Sequence, residues 1–203
     1  MPTRALNAAG ALLAQFLFIA AGVYLGMRAD DWKEERARLD AERAALENFR
    51  SEMLANRASV AAHLKYNESM RDSMALSQKR GDPPPRSVND VLHRIGFHGL
   101  SSVSYAHVAW DMALATQSLA YLPPKLAFSV GKVYAFQTRM EELQSVALSQ
   151  LFAPAALEDA RWQQFARSLA GHLEDMHYSE PALIKAYDTL VPRIDSTLRT
   201  LPK

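Results

Sequence analysis

The chain has 203 residues, 23 Lys and Arg against 22 Asp and Glu, and no cysteine. That length suits one anchor and one domain, and the near-neutral balance lacks the basic excess that neutralises nucleic-acid phosphates. Without cysteine there are no disulfides, thiolate nucleophiles, or cysteine-ligated zinc or iron–sulfur centres. Alanine, leucine, arginine and glutamate are plentiful and glycine is scarce after residue 26, a helical composition.

A short tail, residues 1–4, precedes an apolar run over 5–27 that carries no charge; Asn7 and Gln15 are its clearly polar side chains. At 1.5 Å per residue these 23 residues reach roughly 34 Å, enough for the ~30 Å hydrocarbon core of a bilayer. A secretory signal is the competing reading. Its apolar region is shorter, about 7–15 residues, and Met27 fills a position where a cleavage site wants a small side chain. A soluble core helix would rarely stay uncharged so long. We therefore expect a transmembrane helix over 5–27. Trp32, Arg28 and Lys33 sit where an amphipathic ring and two cations meet the headgroup layer. Gly22 and Gly26 form a G-x-x-x-G pair, and with Gln15 they mark a candidate helix dimer face.

Which side of the membrane the chain enters is weighed by two signals. The Lys/Arg count favours a cytoplasmic long flank, whereas the acids interleaved there and the short basic tail favour a periplasmic one. We take the periplasmic reading and keep the cytoplasmic one open.

Residues 28–78 contain neither proline nor glycine and read as a long amphipathic helix. Trp32, Leu39, Leu46, Met53 and Val60 recur every seven residues, Asn67 and Met74 continue the count, and Phe49 and Leu64 widen the stripe. The second column weakens after Phe49, because Asn56 and His63 fall where a zipper wants leucine. Packing on the chain's own bundle is thus preferred over a coiled coil. Beside the stripe run Arg36, Arg43, Arg50, Arg57 and Arg71, read as a solvated face or as a docking stripe for acidic partners or headgroups.

Residues 79–87 form a proline-rich linker in which Gly81 can cap the helix, and Ser87 with Asp90 reads as a capping box. Residues 88–203 read as a helical bundle with helices starting near Ser87, Ser102, Pro123-Pro124, Pro154 and Pro181. Pro192 falls on the polar side of the last and should kink it without ending it. The fold class is all-α: a transmembrane helix, its long amphipathic continuation, and a bundle.

The six histidines show no ligand spacing; His172 and His177, five apart, point about 140° from each other on a helix. No nucleophile elbow, zinc-protease helix or phosphate loop occurs. We expect no enzyme, no metal and no cofactor. Trp110 reads as a core anchor with Asp111 and Thr116 as a local polar pair or cap; the sharper reading makes all three a pocket or docking site.

Asp31, Trp32, Glu34 and Arg36 after the apolar run, with Ala109, Trp110, Asp111, Ala113 and Thr116 further on, resemble a family of uncharacterised bacterial single-pass membrane proteins. The family pattern is an anchor ending in Asn/Asp-Trp-x-Glu-x-Arg, then a long helix and a helical domain. Gln117 stands where glycine is usual. Gln15 stands where an acid is common, so no intramembrane carboxylate carries over. The resemblance implies architecture and no activity. The expected role is a non-catalytic scaffold or interaction protein of the bacterial inner membrane. Its partners would be the lipid bilayer, an envelope protein and a second copy, with no nucleic acid. The alternative is a ligand-binding sensor-type helical domain working through a partner.

Overall fold

The structure, a computed structural model, describes the backbone of residues 3–99 and 103–202; in its first helix the side chains of Phe18 and of residues from 21 onward are described. It is built of helices: α1 (Thr3–Arg80), α2 (Val88–Arg94), α3 (Val108–Ala115), α4 (Pro124–Leu151) and α5 (Trp162–Thr200), with 3-10 turns at Ser118–Tyr121, Pro154–Leu157 and Asp159–Arg161. Among the described residues no helix is long and apolar enough to cross a membrane. Most of the predicted span 5–27, including Gln15, lies outside the residues whose side chains are described.

α1 is continuous from Thr3 to Arg80, and every residue from 21 to 38 is exposed. Coverage begins at Leu39, half-buried, and from Leu46 onward the helix packs antiparallel to α5. The predicted stripe is the buried one: Leu46, Met53 and Val60 are fully enclosed and Asn67 is nearly so, while Trp32 stands exposed. The second column was undervalued. Phe49, Asn56, His63 and Met70 are also buried, so both seven-residue columns face the bundle. Asn56 earns its place by bridging backbone: its Nδ2 donates to Ala106 O and its Oδ1 accepts from Ala106 N, each at 2.9 Å.

From Arg43 onward the arginine column, though partly exposed, is engaged within the molecule; Arg36 stands exposed before it. Arg50 pairs with Asp195, Arg57 holds both oxygens of Asp188, Arg71 reaches Glu174 at 3.9 Å, and Arg43 donates to Pro202 O. A step of seven along α1 is met by a step of seven back along α5, with one heptad skipped where Leu64 interrupts the column. These clasps flank two apolar clusters. One gathers Leu46, Phe49 and Met53 with Val130, Tyr134, Leu183 and Tyr187. The other gathers Met70 with Val88, Val91, Phe165, Leu169 and Leu173.

Three predicted boundaries are corrected. The helix expected near Ser102 begins at Val108, because neighbouring side chains bind the backbone of the preceding segment: Glu141 Oε1 accepts from Tyr105 N, and Asn56 takes both groups of Ala106. Pro154 opens a 3-10 turn, and the fourth predicted helix starts at Trp162. It then runs through Pro181, which had been expected to start a fifth. Both Pro181 and Pro192 lie on the exposed side of α5, where water can serve the carbonyls their missing N–H groups leave free. The capping box holds: Asp90 N donates to Ser87 Oγ at 3.0 Å. Gly81, at φ 66°, closes α1 in the left-handed conformation.

The Arg57 guanidinium bound to Asp188 holds that carboxyl below its ordinary range. The contribution is therefore present above the unfolded carboxyl range, about pH 4, and is lost as pH falls through the lower folded value. Denaturation midpoints of wild type and Asp188→Asn should differ at neutral pH and converge on acidification; a gap that widens in acid would refute the clasp.

Candidate functional site

α3 is positioned from its first turn by a residue of α1. His107 precedes the helix without capping it through its side chain, and Ala109 N instead donates to Glu52 Oε2 at 2.9 Å. The carboxylate thus sits at the positive end of a helix. The other oxygen, Glu52 Oε1, accepts from Tyr134 Oη at 2.6 Å. Burial, then that bond, drives the Tyr134 phenol well above its usual range, so it acts as a donor. His107 is fixed in turn by Glu141, Nε2 to Oε2 3.1 Å.

Trp110, half-buried, packs against the edge of the larger apolar cluster. Its ring stacks on Tyr134 at 5.2 Å between centroids and 26° between planes, and Tyr134 also meets Phe49 at 5.9 Å. Gly131 on α4 admits it, since a Cβ there would stand 3.2 Å from Trp110 Cη2. Asp111 and Thr116 do not join it. Asp111 is exposed, and Thr116 Oγ1 donates back to Met112 O at 2.8 Å, capping its own helix. Gln117 follows at φ 56°, the left-handed conformation that a glycine adopts without the ~1 kcal/mol steric cost of a Cβ.

What the fold gathers and the sequence did not announce is a buried polar layer between the two apolar clusters. Glu180 of α5 is fully enclosed, and its Oε1 lies 2.8 Å from His63 Nδ1 and 2.9 Å from Asn67 Nδ2. A carboxylate oxygen only accepts, so the contact with Glu180 Oε1 assigns the His63 hydrogen to Nδ1. One heptad further along α5, Tyr187 Oη accepts from Gln137 Nε2 at 2.6 Å, and burial pushes the Tyr187 phenol up to about 12. Tyr105, lifted above its usual range by burial, lies close enough to Tyr187 and Glu180 to feel both. Four buried atoms of this interior find no protein partner: His63 Nε2, Glu180 Oε2, Tyr105 Oη and Gln137 Oε1. The sequence signal was Asn56, His63 and Asn67 at core positions of the heptads; nothing in the sequence marked Glu180, which an expected helix start at Pro181 hid.

The outer surface carries the complementary feature. A groove of about 230 Å³ runs between α1 and α3, lined by Ala41, Ala44, Ala45, Ala109, Met112 and Ala113, with Thr116 beside them. Along α3, Val108, Met112 and Leu114 are each more than half exposed. Of the predicted interface residues, Arg28 Nε donates to Tyr24 Oη at 3.2 Å and Trp32 is 65% exposed. Gly22 and Gly26 face open space, where an added Cβ would meet nothing within 4 Å. Among the described residues no group of three or more metal-ligating side chains is assembled. Comparison with protein-family models, curated proteins and solved structures gives no match, so the site is read on its own geometry.

Glu180→Ala leaves two buried donors without an acceptor and should cost about 1–3 kcal/mol. Replacing the layer together, His63→Leu, Asn67→Leu and Glu180→Met, should recover most of that loss. Urea denaturation of the full chain measures both, and a triple variant less stable than Glu180→Ala would contradict the assignment.

Proposed function

We propose that the chain is a membrane-anchored, non-catalytic interaction protein whose contact surface is the groove between α1 and α3. The observation that carries this reading is the pair Val108 and Met112, one turn apart on α3 and exposed on the side of a groove lined by small side chains. A helix of eight residues gains nothing by presenting these two apolar groups to water, whereas a partner's helix would remove them from it. Small groove residues let that helix approach closely.

The anchor is argued from residues 5–27: an uncharged run of bilayer length, continued without a break by α1 and followed by Arg28, Trp32 and Lys33. On this reading the protein belongs to a bacterial inner membrane, with the bundle taken as periplasmic and the cytoplasmic side as the alternative. The uncovered stretch of α1 from 28 to 38 separates bundle and bilayer, and Gln15, Gly22 and Gly26 offer a second copy a close approach within the membrane. The partner at α3 is an envelope protein confined to the same membrane.

The sensor-type alternative has one observation in its favour. The unpartnered His63 Nε2, Glu180 Oε2 and Tyr105 Oη are groups that a small polar ligand could satisfy.

A photo-crosslinking residue at Met112 should yield a discrete adduct in membranes, and one at exposed Lys185 on α5 should not. Equal adducts, or none at Met112, would reject the groove. Orientation is read separately: Thr200→Cys should react with an impermeant maleimide once the outer membrane alone is opened, and labelling only after inner-membrane lysis would place the bundle in the cytoplasm.

A further inference from the structure

α4 carries a second column of cations, and it differs from the one on α1 in lacking a counterpart. Lys125, Lys132 and Arg139 stand seven residues apart on one face, spanning roughly 21 Å, and all three are exposed. None pairs with an acid among the described residues. Of the two acids in the helix, Glu141 turns inward to Tyr105 N and His107 Nε2, and Glu142 lies beside the column. Between and beyond the cations the same face exposes Phe128 (67%), Leu143 (40%) and Val146 (54%), with Lys132 Nζ 4.7 Å above the Phe128 ring.

The molecule itself shows what such a column fits. On α1, Arg50, Arg57 and Arg71 are met by Asp195, Asp188 and Glu174 on an antiparallel helix whose apolar side chains fill the space between. We propose that the outer face of α4 binds an amphipathic helix of a partner protein that presents acidic residues at seven-residue spacing. This rests on the reading of the chain as an interaction protein, but it uses a different face from the α1–α3 groove.

A bilayer of anionic lipid would offer the same charge but the wrong shape. Ser129, Gln137 and Gln144 of α4 meet Arg193, Tyr187 and Met176 of α5, so α4 is antiparallel to α5 and runs in the sense of α1. Its outer face therefore extends along α1 and away from a membrane that α1 enters, and a flat surface cannot follow it.

The test uses the full chain in nanodiscs of neutral lipid and a fluorescent helical peptide of about three heptads, with glutamate at every seventh position and leucines flanking it. Anisotropy should show saturable binding that weakens with salt. It should fall about tenfold or more when Lys125, Lys132 and Arg139 are all changed to Glu, and Lys132→Arg should preserve it. All three side chains are exposed, so the triple variant should keep its helical circular dichroism. Equal binding to the triple variant, equal binding of a peptide with its glutamates scrambled, or no saturable binding would overturn the proposal. So would loss of peptide binding in nanodiscs of phosphatidylglycerol, which would make the bilayer the occupant. A Met112 adduct would survive each of these failures, and loss of that adduct would leave this binding intact.

Discussion

Everything in this fold hangs on the antiparallel seam between α1 and α5. Two helices with seven-residue apolar columns can pair in several registers, because sliding one by a heptad again sets apolar side chains against apolar side chains. The buried layer removes that freedom. A slide in one direction sets Glu180 against Met70 and Met74, and in the other against Asn56 and Val60; both take away the imidazole of His63. A carboxylate enclosed by protein without its donors costs several kcal/mol, far more than a misplaced surface pair. The arginine clasps reinforce the same register at the surface. Each contributes little because both partners face solvent, and their value is that all of them agree.

With the seam fixed, the other elements find their places through side chains of α1. Asn56 binds both backbone groups of Ala106 and Glu52 caps α3, so the segment that could have begun a helix at Ser102 is held extended until Val108. Trp110 then falls on Tyr134, and Gly131 leaves room for it. Glu52, Tyr134 and Glu141 tie the start of α3 to α4 by charge-assisted bonds. The groove beside α3 is thus a consequence of how α1 orders its neighbours.

This division explains what could be read from the sequence. Periodicity and punctuation are local, so the stripe Leu46, Met53 and Val60, the Gly81 cap and the Ser87–Asp90 box were legible. The late start of α3 was not, because the competing hydrogen bonds come from residues about 35 to 57 positions away. Pro181 misled for a related reason. A proline at an apparent helix boundary usually opens a helix, yet here a buried face, apolar except for Glu180, runs from Phe165 to Ile194 and keeps α5 continuous through it. The seven-residue spacing of Arg50 and Arg57 matches that of Asp188 and Asp195, a signal of the seam present in the sequence.

The distribution of polarity carries the functional argument. The bundle encloses two glutamates, a histidine and four side-chain amides while it leaves Val108, Met112, Phe128 and Val146 in water. The enclosed polar groups specify register. The exposed apolar groups are distributed over two helices whose inner faces are already satisfied, α3 by Tyr134 and Glu52, α4 by Gln137 and Tyr187. Neither helix needs its outer apolar side chains to fold, because each is held from within. Groups dispensable for folding and costly for solubility are what a contact surface presents, and the proposed function rests on them.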